Sequence, residues 1–316
     1  MPPTSPLLVL IPGEINLDLI LHGFDAFPRL GREVLVDECL PTLGSASAIT
    51  GVGLARLGVP VRFVGKVGAD AWGDQCLETM RAAEVDTTFV ERSADTRTGV
   101  TVAISSAADR ALVTYPGAIA ELTAVDVPSA AWDGAAHLHL SSYYLQEGLR
   151  PSVPELFRQA RDRGMTMSLD PGGDPTAQWQ GGVRDAIALA DVFLPNAVEL
   201  EGIGGDPDPV RCLTALEAEG CQVVAKLGAR GSLALVDGRP ESVPAPGVDV
   251  VDTTGAGDSF NAGFLAAWLG RRTLVECMRD GVCCGALATR GLGGTTTQAD
   301  VNELAELRAV HFGGER

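Results

Sequence analysis

The sequence has few of the residues that are abundant in several common classes of protein. Only two of its 316 residues are lysines, Lys66 and Lys226, and aromatic residues make up 5%. Lys and Arg number 24 against 41 Asp and Glu, which gives a formal net charge of −17. Such a charge repels nucleic-acid phosphates and anionic lipid headgroups. We therefore expect neither nucleic acid nor membrane among the partners of this chain.

Long hydrophobic runs and ordered cysteine patterns are also missing. No segment approaches the ~18 consecutive apolar residues that a membrane span needs. The first Lys or Arg is Arg29, whereas a secretory signal starts with such cationic residues. The seven cysteines are odd in number and contain no C-x-x-C spacing, so neither a disulfide framework nor a zinc ribbon is expected. These features predict a cytoplasmic protein.

The apolar residues follow the pattern of a doubly wound α/β fold. From about residue 135, short apolar segments alternate with segments of helical spacing, which is typical of a mostly parallel sheet flanked by helices. Strands are predicted at residues 7–11, 61–67, 137–141, 165–170, 191–194 and 222–227. Helices are predicted at residues 46–57, 74–84, 151–163, 178–190, 197–203 and 208–220, from about residue 256, and at 273–289.

A second sheet is predicted in the first half of the chain. Residues 33–39 and 99–105 alternate between polar and apolar side chains, which indicates strands with one solvent-exposed face. We predict that segments near residues 14–40 and 97–115 form a small β-sheet lid, inserted in a single domain of residues 1–316. Because an uncovered sheet face favours association, the lid is also the candidate surface for a homodimer.

The most informative segment is residues 252–264, which read DTTGAGDSFNAGF. Apolar residues at helical spacing follow it, so its glycines lie where a helix begins. Backbone N–H groups at a helix start bind anions. A carboxylate there would repel a phosphate, but as a general base close to an arriving phosphoryl group Asp258 has a clear chemical role. The alternative is a tight turn in which Asp258 caps the helix.

Two common nucleotide-binding motifs are excluded. Neither lysine completes the P-loop pattern G-x-x-x-x-G-K-[ST], and the pattern G-x-G-x-x-G fails after Gly255 because residue 260 is Phe. The first predicted strand is followed by Pro12-Gly13-Glu14, which is not the glycine-rich turn of a dinucleotide-binding protein. An NAD-dependent dehydrogenase is therefore not supported.

Several further segments, together with residues 252–264, resemble the motifs of the ribokinase-like (PfkB) carbohydrate kinases. In chain order they are residues 13–18 (GEINLD), 43–48 (LGSASA), 65–70 (GKVGAD) with Gly73, 196–199 (NAVE) and 226–231 (KLGARG). Each segment is short, but the ordered set is specific and extends over residues 7–298. The resemblance implies ATP-dependent phosphorylation of a sugar hydroxyl.

The resemblance also implies roles for individual residues. Asp258 matches the catalytic base, and Gly255, Ala256 and Gly257 match the anion hole. The positions that match substrate-binding residues are Asn16, Asp18, Gly44, Ser45 and Asp252. The positions that match nucleotide-side residues are Asn196, Lys226, Gly228 and Gly231, and Glu199 matches a residue that supports magnesium. ATP and Mg²⁺ are the implied cofactors, with a monovalent cation such as K⁺ near Asp252, Thr254 and the 289–294 loop.

Some of these residues also fit purely structural roles. Asp18 fits an ordinary strand end, and Asn196 fits an N-cap of the helix that contains Glu199. His137 and His139 share one face of a predicted strand and could begin a metal site. Because no third ligand is apparent in the sequence, ordinary core or surface positions are the favoured interpretation for both.

Departures from the family pattern bear on the substrate. Ser45 stands where the family usually has a second glycine, and Ile49 stands where an asparagine is usual, which argues against a plain ribokinase. Kinases of phosphorylated sugars often have a lysine where this chain has Ala46, so a non-phosphorylated sugar such as ribose or fructose is favoured. Two alternatives stay open. One is a nucleoside kinase of the same family, and the other is a non-catalytic protein that senses sugars or nucleotides.

Overall fold

The computed structural model describes residues 7–24, 26–105 and 110–313. Residues 25 and 106–109, which fall within the predicted lid segments, lie outside this range. The strands are β1 Leu8–Pro12, β2 Asn16–His22, β3 Glu38–Leu43, β4 Val61–Gly68, β5 Asp86–Ser93, β6 Gly99–Ser105, β7 Arg110–Tyr115, β8 Ala135–Leu140, β9 Thr166–Leu169, β10 Val192–Phe193, β11 Gln222–Lys226, β12 Ser232–Val236 and β13 Arg239–Val243. The helices are α1 Ala46–Arg56, α2 Ala71–Ala82, α3 Val153–Asp162, α4 Val183–Ile187, α5 Ala197–Gly204, α6 Pro209–Glu217, α7 Ala256–Leu269, α8 Leu274–Ala288 and α9 Val301–Phe312.

Nine strands form one sheet in the order β13-β12-β11-β10-β9-β8-β1-β4-β5. The strands from β11 to β5 pair in parallel, and β12 and β13 extend the sheet with antiparallel pairing. The order runs outward in both directions from the neighbours β1 and β8. This arrangement confirms the predicted doubly wound fold. Ligands of such folds bind outside the carboxyl ends of the strands, where the winding direction reverses.

Helices cover both faces of this sheet because its strands are apolar on both faces. In β1, Leu10 points into a core packed by α3, α4, α5 and α6. Its neighbours Val9 and Ile11 point into the opposite core, packed by α1, α2, α7 and α8. All three side chains are fully buried. The burial on both faces explains why these strands are continuous apolar runs in the sequence. None of the helices in the described part of the chain combines the length and the apolar character that crossing a membrane requires.

The second sheet is the lid, with four strands in the order β3-β2-β6-β7. Strand β2 pairs in parallel with β6, and the other two pairs are antiparallel. The register places Asp18 opposite both Thr42 and Thr101, and Thr101 opposite Thr114. Opposed residues share a face of a sheet. One lid face therefore carries a row of polar side chains at the end nearest the core.

Some predicted boundaries are wrong, and the strand pairing shows why. The strand predicted at 33–39 begins only at Glu38, because its partner β2 ends at His22, opposite Glu38. The helix predicted at 178–190 is the short α4, which starts only after two glycines in the left-handed region, Gly181 and Gly182. The elements β5, β12, β13 and α9 were not predicted. Helix α9 is mostly exposed, with only Phe312 buried, so its apolar residues do not follow a clear helical stripe.

His137 and His139 are fully buried core residues, which decides between the core and surface positions that the sequence left open. Hydroxyl groups satisfy their ring nitrogens: His137 contacts Thr166 and Ser168, and His139 contacts Ser168 and Ser141, each at 2.7 Å. Within the described ranges no group of three metal-ligating side chains occurs. Burial lowers the pKa of His137 to about 3 and that of His139 to about 4, so both rings are neutral at physiological pH.

These buried histidines make the stability of the protein sensitive to acid. Their folded-state pKa values lie below the ordinary value of 6.5. Below pH 6.5 the unfolded state therefore binds more protons than the folded state. The contribution of the two histidines to stability is fully present above pH 6.5 and is lost as the pH falls below it. Between pH 7 and pH 5.5 we expect each histidine to remove about 1 kcal/mol from the free energy of unfolding. Urea unfolding at both pH values measures how much free energy of unfolding is lost. The loss should be about 1 kcal/mol smaller for a His137→Gln variant than for the unchanged protein.

Comparing the protein with the variant removes the contributions of the other titrating groups, which the two share. As the control, the two free energies should change in parallel between pH 7 and pH 8. Equal losses for the two proteins between pH 7 and pH 5.5 would show that His137 is not buried in its neutral form.

Candidate active site

Several of the residues predicted to form the site, those of the α7 turn and of the nucleotide side, come together at the carboxyl ends of the parallel strands. Lys226 ends β11, and Asn196 lies three residues beyond the end of β10. Asp170 directly follows β9, and the N-terminus of α7 lies beside Lys226, since a Cβ atom on Gly257 would be 3.6 Å from Lys226 Nζ. The sheet edge thus gathers groups that are up to 88 residues apart in the sequence, from Asp170 to Asp258.

Helix α7 begins with a left-handed residue, Gly255, which has φ 73° and provides no side-chain cap. A Cβ atom there would lie 2.5 Å from the Cα of Gly294, so glycine is required for the close approach of these two loops. Among the residues that the structure describes, the N–H groups of Gly255 and Gly257 have no hydrogen-bond acceptor. Such N–H groups at the start of a helix are suited to an anion, and anion binding at this turn remains a prediction.

Asp258 is the acidic residue in the first turn of α7 and is partly exposed. The N-cap position belongs to Gly255, three residues earlier, so the interpretation of Asp258 as the helix cap is wrong. The carboxyl group lies close enough to Lys226 and Glu199 for its charge to raise the pKa of both. Asp258 therefore belongs electrostatically to the cluster at the strand ends.

Lys226 lies at the centre of this cluster, with 11% of its side chain exposed. Its Nζ donates to Asp170 Oδ2 at 2.6 Å and to Asn261 Oδ1 at 3.2 Å, and Asn261 Nδ2 donates to the same Asp170 oxygen at 2.5 Å. Burial alone would lower the pKa of Lys226, but the charges of Asp170, Glu199 and Asp258 raise it above its ordinary value. The ammonium group therefore stays protonated beside the anion-binding turn.

Asp170 and Asn261 were missed in the sequence analysis. Burial raises the pKa of Asp170, but the charge of Lys226 and hydrogen bonds from Lys226 and Asn261 outweigh it, and the net pKa is lowered. The carboxyl group is thus ionised. The available signal for Asp170 was its position directly after a buried apolar strand. Asn261 gave no signal, because it lies in the apolar part of α7 and faces the cluster only through the rotation of that helix.

Glu199 is 4% exposed and forms a capping box with Asn196 at the start of α5. Its carboxyl oxygens accept from Asn196 N–H at 2.7 Å and from Asn196 Nδ2 at 2.6 Å. Burial, aided by the charge of Asp170, raises the pKa of Glu199 to about 7. The helix-cap role considered for Asn196 is therefore present. The same cap holds Glu199 near Lys226.

The donor set at the strand ends fits a magnesium ion. Three carboxyl groups, those of Asp170, Glu199 and Asp258, surround the single ammonium group of Lys226, so the cluster has an excess of hard, negative oxygen donors. No set of three or more preformed ligands exists in the part of the chain that the structure describes. Mg²⁺ commonly keeps several waters and takes phosphate oxygens in addition to one or two carboxylates, which suits this arrangement.

Asp252 braces the anion-binding turn against a neighbouring loop. Its side chain is 5% exposed, Oδ1 accepts from Thr254 N–H at 3.1 Å and from Thr254 Oγ1 at 2.9 Å, and Oδ2 accepts from Gly293 N–H at 3.0 Å. These contacts bring Asp252, Thr254 and the 289–294 loop together, and a monovalent cation at this place remains a prediction. The sugar contact assigned to Asp252 remains a prediction.

The predicted sugar-binding residues of the lid form one hydrogen-bonded group. Asn16 Nδ2 donates to Asp18 Oδ1 at 3.0 Å and to Thr101 Oγ1 at 2.8 Å, and Ser45 Oγ donates to Asn16 Oδ1 at 2.5 Å. A Cβ atom on Gly44 would overlap the Asp18 carboxyl group, which explains the glycine there. Thr101, which contacts Thr114 at 3.0 Å, was missed because only the strand register brings it to this group.

The glycines assigned to the nucleotide side shape the turn that follows β11. Gly228 and Gly231 have φ of 59° and 90°, and a Cβ atom on Gly231 would overlap the carbonyl oxygen of Val243. Both residues thus need the conformational freedom of glycine. The turn that they form is continuous with Lys226 and is exposed from residue 228 to 230. Their contact with a nucleotide remains a prediction.

The chain is similar to known proteins in sequence and in fold. Among curated proteins, the chain is 33% identical to a protein of Archaeoglobus fulgidus described as an uncharacterized sugar kinase, over 73% of this chain and 91% of the relative. It is 32% identical to a fructokinase of Escherichia coli, over 84% of this chain and 91% of the relative. Among solved structures, it resembles a double-mutant fructokinase of Vibrio cholerae that holds fructose, ADP and a potassium ion. That match has a TM-score of 0.81 and 26% identity, over 96% of this chain and 98% of the other.

The family model described as pfkB family carbohydrate kinase matches residues 46–300, which is most of the chain. The match includes the α7 turn, the Asn196–Glu199 cap and Lys226, and it begins just after Gly44 and Ser45, which connect the lid to α1. The ordered motifs, the doubly wound fold and these matches all agree. The chain belongs to the pfkB family of carbohydrate kinases and is a sugar kinase.

Proposed function

We propose that this kinase transfers the γ-phosphoryl group of ATP to a hydroxyl of a non-phosphorylated sugar, of the ribose or fructose type, with Asp258 as the general base. The observation that most supports this role is the position of Asp258. It is a partly exposed carboxyl in the first turn of α7, beside the N–H group of Gly257 and the ammonium group of Lys226. A base and groups that stabilise negative charge are thus adjacent.

The proposed reaction needs one proton transfer and one phosphoryl transfer. The Asp258 carboxylate accepts the proton of the attacking sugar hydroxyl, and the sugar oxygen forms a bond to the γ-phosphorus. The bond between that phosphorus and the β–γ bridging oxygen breaks, and ADP leaves with the electron pair. The N–H groups of Gly255 and Gly257 and the Lys226 ammonium stabilise the negative charge on the transferred group.

Magnesium, when bound, neutralises the phosphate oxygens of ATP. The residues available to hold it are Glu199 and Asp170, through their carboxylate oxygens or intervening waters. We place the phosphates over the α7 turn and the nucleotide along the turn at Gly228 and Gly231. We also propose a monovalent cation at Asp252 and the 289–294 loop. The fructokinase of Vibrio cholerae that resembles this chain holds a potassium ion.

We place the sugar under the lid, against Asn16 and Asp18. Their buried amide and carboxyl groups can donate to and accept from sugar hydroxyls. The absence of a lysine at Ala46 supports a substrate without a phosphate group. The names of relatives support the same class, since one of them is a fructokinase.

An Asp258→Asn variant tests the base. Asparagine has the same shape but cannot accept the proton, so we expect kcat to fall by a factor of about 10² or more. The melting temperature and the dissociation constants for ATP and sugar should change little. Steady-state ADP release and calorimetric binding measure these quantities. Asp249→Asn, at a nearby exposed position, is the matched control and should keep normal kcat. An Asp258→Asn variant with normal kcat and an intact fold would refute the assignment.

The substrate class is tested by ADP release with a panel of acceptors. Ribose, fructose, ribose 1-phosphate and adenosine differ in phosphate charge and in the size of the anomeric substituent. We expect the highest kcat/KM with a free sugar, because the described site offers carboxyl and amide groups under the lid. Preference for adenosine would identify a nucleoside kinase, and preference for ribose 1-phosphate would contradict the argument from Ala46. No ADP release with any acceptor would favour a non-catalytic sensing protein.

We further propose that two chains associate through their lids. Strand β7 exposes large apolar side chains: Leu112 is 55% exposed, Val113 63% and Tyr115 52%. Leu112 and Val113 point to opposite faces of the lid, so neither face of this edge strand is fully covered. Exposed apolar surface of this kind marks interaction sites.

Size-exclusion chromatography with light-scattering detection tests the lid dimer. The protein should have twice the mass of one chain, and Val113→Asp should shift it toward the monomer because a charge would be buried at the contact. Val125→Asp, also at an exposed valine but away from the lid strands, should leave the mass unchanged. A monomeric protein at micromolar concentration would exclude this association.

A further inference from the structure

A buried carboxyl group, that of Glu14, joins the two chain segments that connect the lid to β1 and α1. Residues 13–15 lead from β1 into the lid, and residues 44–45 return from the lid to α1. Glu14 is 2% exposed. Its Oε1 accepts from Ser47 N–H at 3.0 Å and its Oε2 from Ser47 Oγ–H at 2.5 Å. Ser142, after β8, also hydrogen-bonds the group. None of the ion pairs found among the described residues includes Glu14.

Glu14 takes the place of a helix cap that α1 lacks. The N-cap residue Ser45 makes no side-chain cap bond, and the first turn of α1 contains no acidic residue. Glu14 accepts the N–H group of Ser47, the second residue of α1, from outside the helix. A carboxyl group at this end also suits the helix dipole. A Cβ atom on Gly13 would overlap the Ser47 side chain, so the backbone before Glu14 is held against the start of α1.

The hydroxyl of Ser45 is not available as a cap because it is used in the sugar site. Ser45 has φ 72°, a conformation that favours glycine, and its Oγ donates to Asn16 Oδ1. That bond leaves Asn16 Nδ2 directed at Asp18 and Thr101. A backbone hydrogen bond holds the same two segments together, since Gly44 N–H donates to the Asn16 carbonyl at 2.9 Å. The orientation of Asn16 and Asp18 therefore depends on where Ser45 is held.

We propose that Glu14 is a positioning residue for the sugar site: by fixing Ser47 at the start of α1 it holds Ser45, and through Ser45 it orients Asn16 and Asp18. The inference rests on the proposed sugar site. A second line of support is energetic. Burying a carboxyl group without a cation partner is costly, and here burial raises the pKa of Glu14 despite its hydrogen bonds. A group kept at such a cost, next to the lid connections, has a positional role that an apolar residue could not supply.

The test is the variant Glu14→Gln, with Ser47→Ala as its partner. Glutamine keeps the size of the side chain but removes its charge and replaces one acceptor oxygen with a donor. Ser47 Oγ can then only accept at that place, and both contacts with Ser47 lose their charge assistance. We expect the KM for the sugar to rise about tenfold or more, as for the loss of a hydrogen bond to a charged group, and the KM for ATP to stay within about twofold. Ser47→Ala removes one of the two bonds and should raise the sugar KM less. The double variant should be no worse than Glu14→Gln alone, because both changes break the same contact.

The controls separate this inference from the proposed function. Glu78→Gln, at an exposed position of α2, should leave both KM values unchanged. Asp18→Asn changes the sugar site itself. If Asp18→Asn leaves the sugar KM unchanged, the proposed sugar site is wrong; if it raises that KM while Glu14→Gln and Ser47→Ala do not, only the inference fails. Equal changes in both KM values with a large fall in melting temperature would assign Glu14 a purely structural role. Ser47→Ala tests the inference even if Glu14→Gln does not fold.

Discussion

The buried ammonium group of Lys226 is the interaction on which the site depends. Asp170, Glu199 and Asp258 approach one another at the carboxyl ends of neighbouring strands, in surroundings where like charges repel strongly. Lys226 lies among them and lowers that repulsion, through its 2.6 Å contact with Asp170 and through the longer-range field felt by Glu199. One positive charge does not balance three acids. The cluster therefore remains suited to a further cation, while the adjacent α7 turn remains suited to an anion, and a magnesium–nucleotide complex offers both.

Hydrogen bonds to carboxyl groups link the lid to the core near the chain segments that connect them. Asp70 caps α2 through Gly73 N–H and also accepts from the N–H and hydroxyl groups of Thr98, just before β6. Glu14 makes a comparable contact at the other pair of connections, with Ser47. In both places a carboxyl group of the core accepts a backbone N–H and a hydroxyl from one residue. These paired contacts define where the lid sheet joins the core, and so where its polar face lies relative to α7.

How much of the site could be predicted depended on whether a residue's neighbours are local in the sequence. The turn at Gly255–Asp258 and the cap formed by Asn196 and Glu199 are each contained within a few residues, so the local motif was sufficient to predict them. Asn261 and Thr101 were not, because helix rotation and strand register place them in the site. Ser45 is intermediate. Its departure from glycine was visible in the sequence, but its bond to Asn16 required the structure.

The same reasoning applies to the fold. The strands that are buried on both faces, such as β1, β8 and β11, were predicted from continuous apolar runs, because burial on both faces leaves little choice of residue. The edge strand β13 was not, since four of its five residues are exposed and its position is set by pairing with β12. The lid lies between these cases. Its alternating pattern predicted strands, but the start of β3 at Glu38 is set by its partner, because β2 ends at His22 and offers no further residue for pairing.

Ser45 and Ile49, the two departures from the family pattern around the first turn of α1, are best understood together. Ser45 in a glycine-like conformation costs backbone strain, and its hydrogen bond to Asn16 offsets that cost while fixing the amide. Ile49 is 3% exposed, and a Cβ atom on Gly294 would overlap it, so it packs against the loop that Asp252 also holds. At the proposed sugar site, the apolar side chain of Ile49 means one hydrogen-bonding group fewer than the family pattern has, and the fixed amide of Asn16 leaves less freedom to adapt. A site with fewer and more rigid polar groups distinguishes substrates by the placement of their hydroxyls, because each unmatched buried polar group is costly.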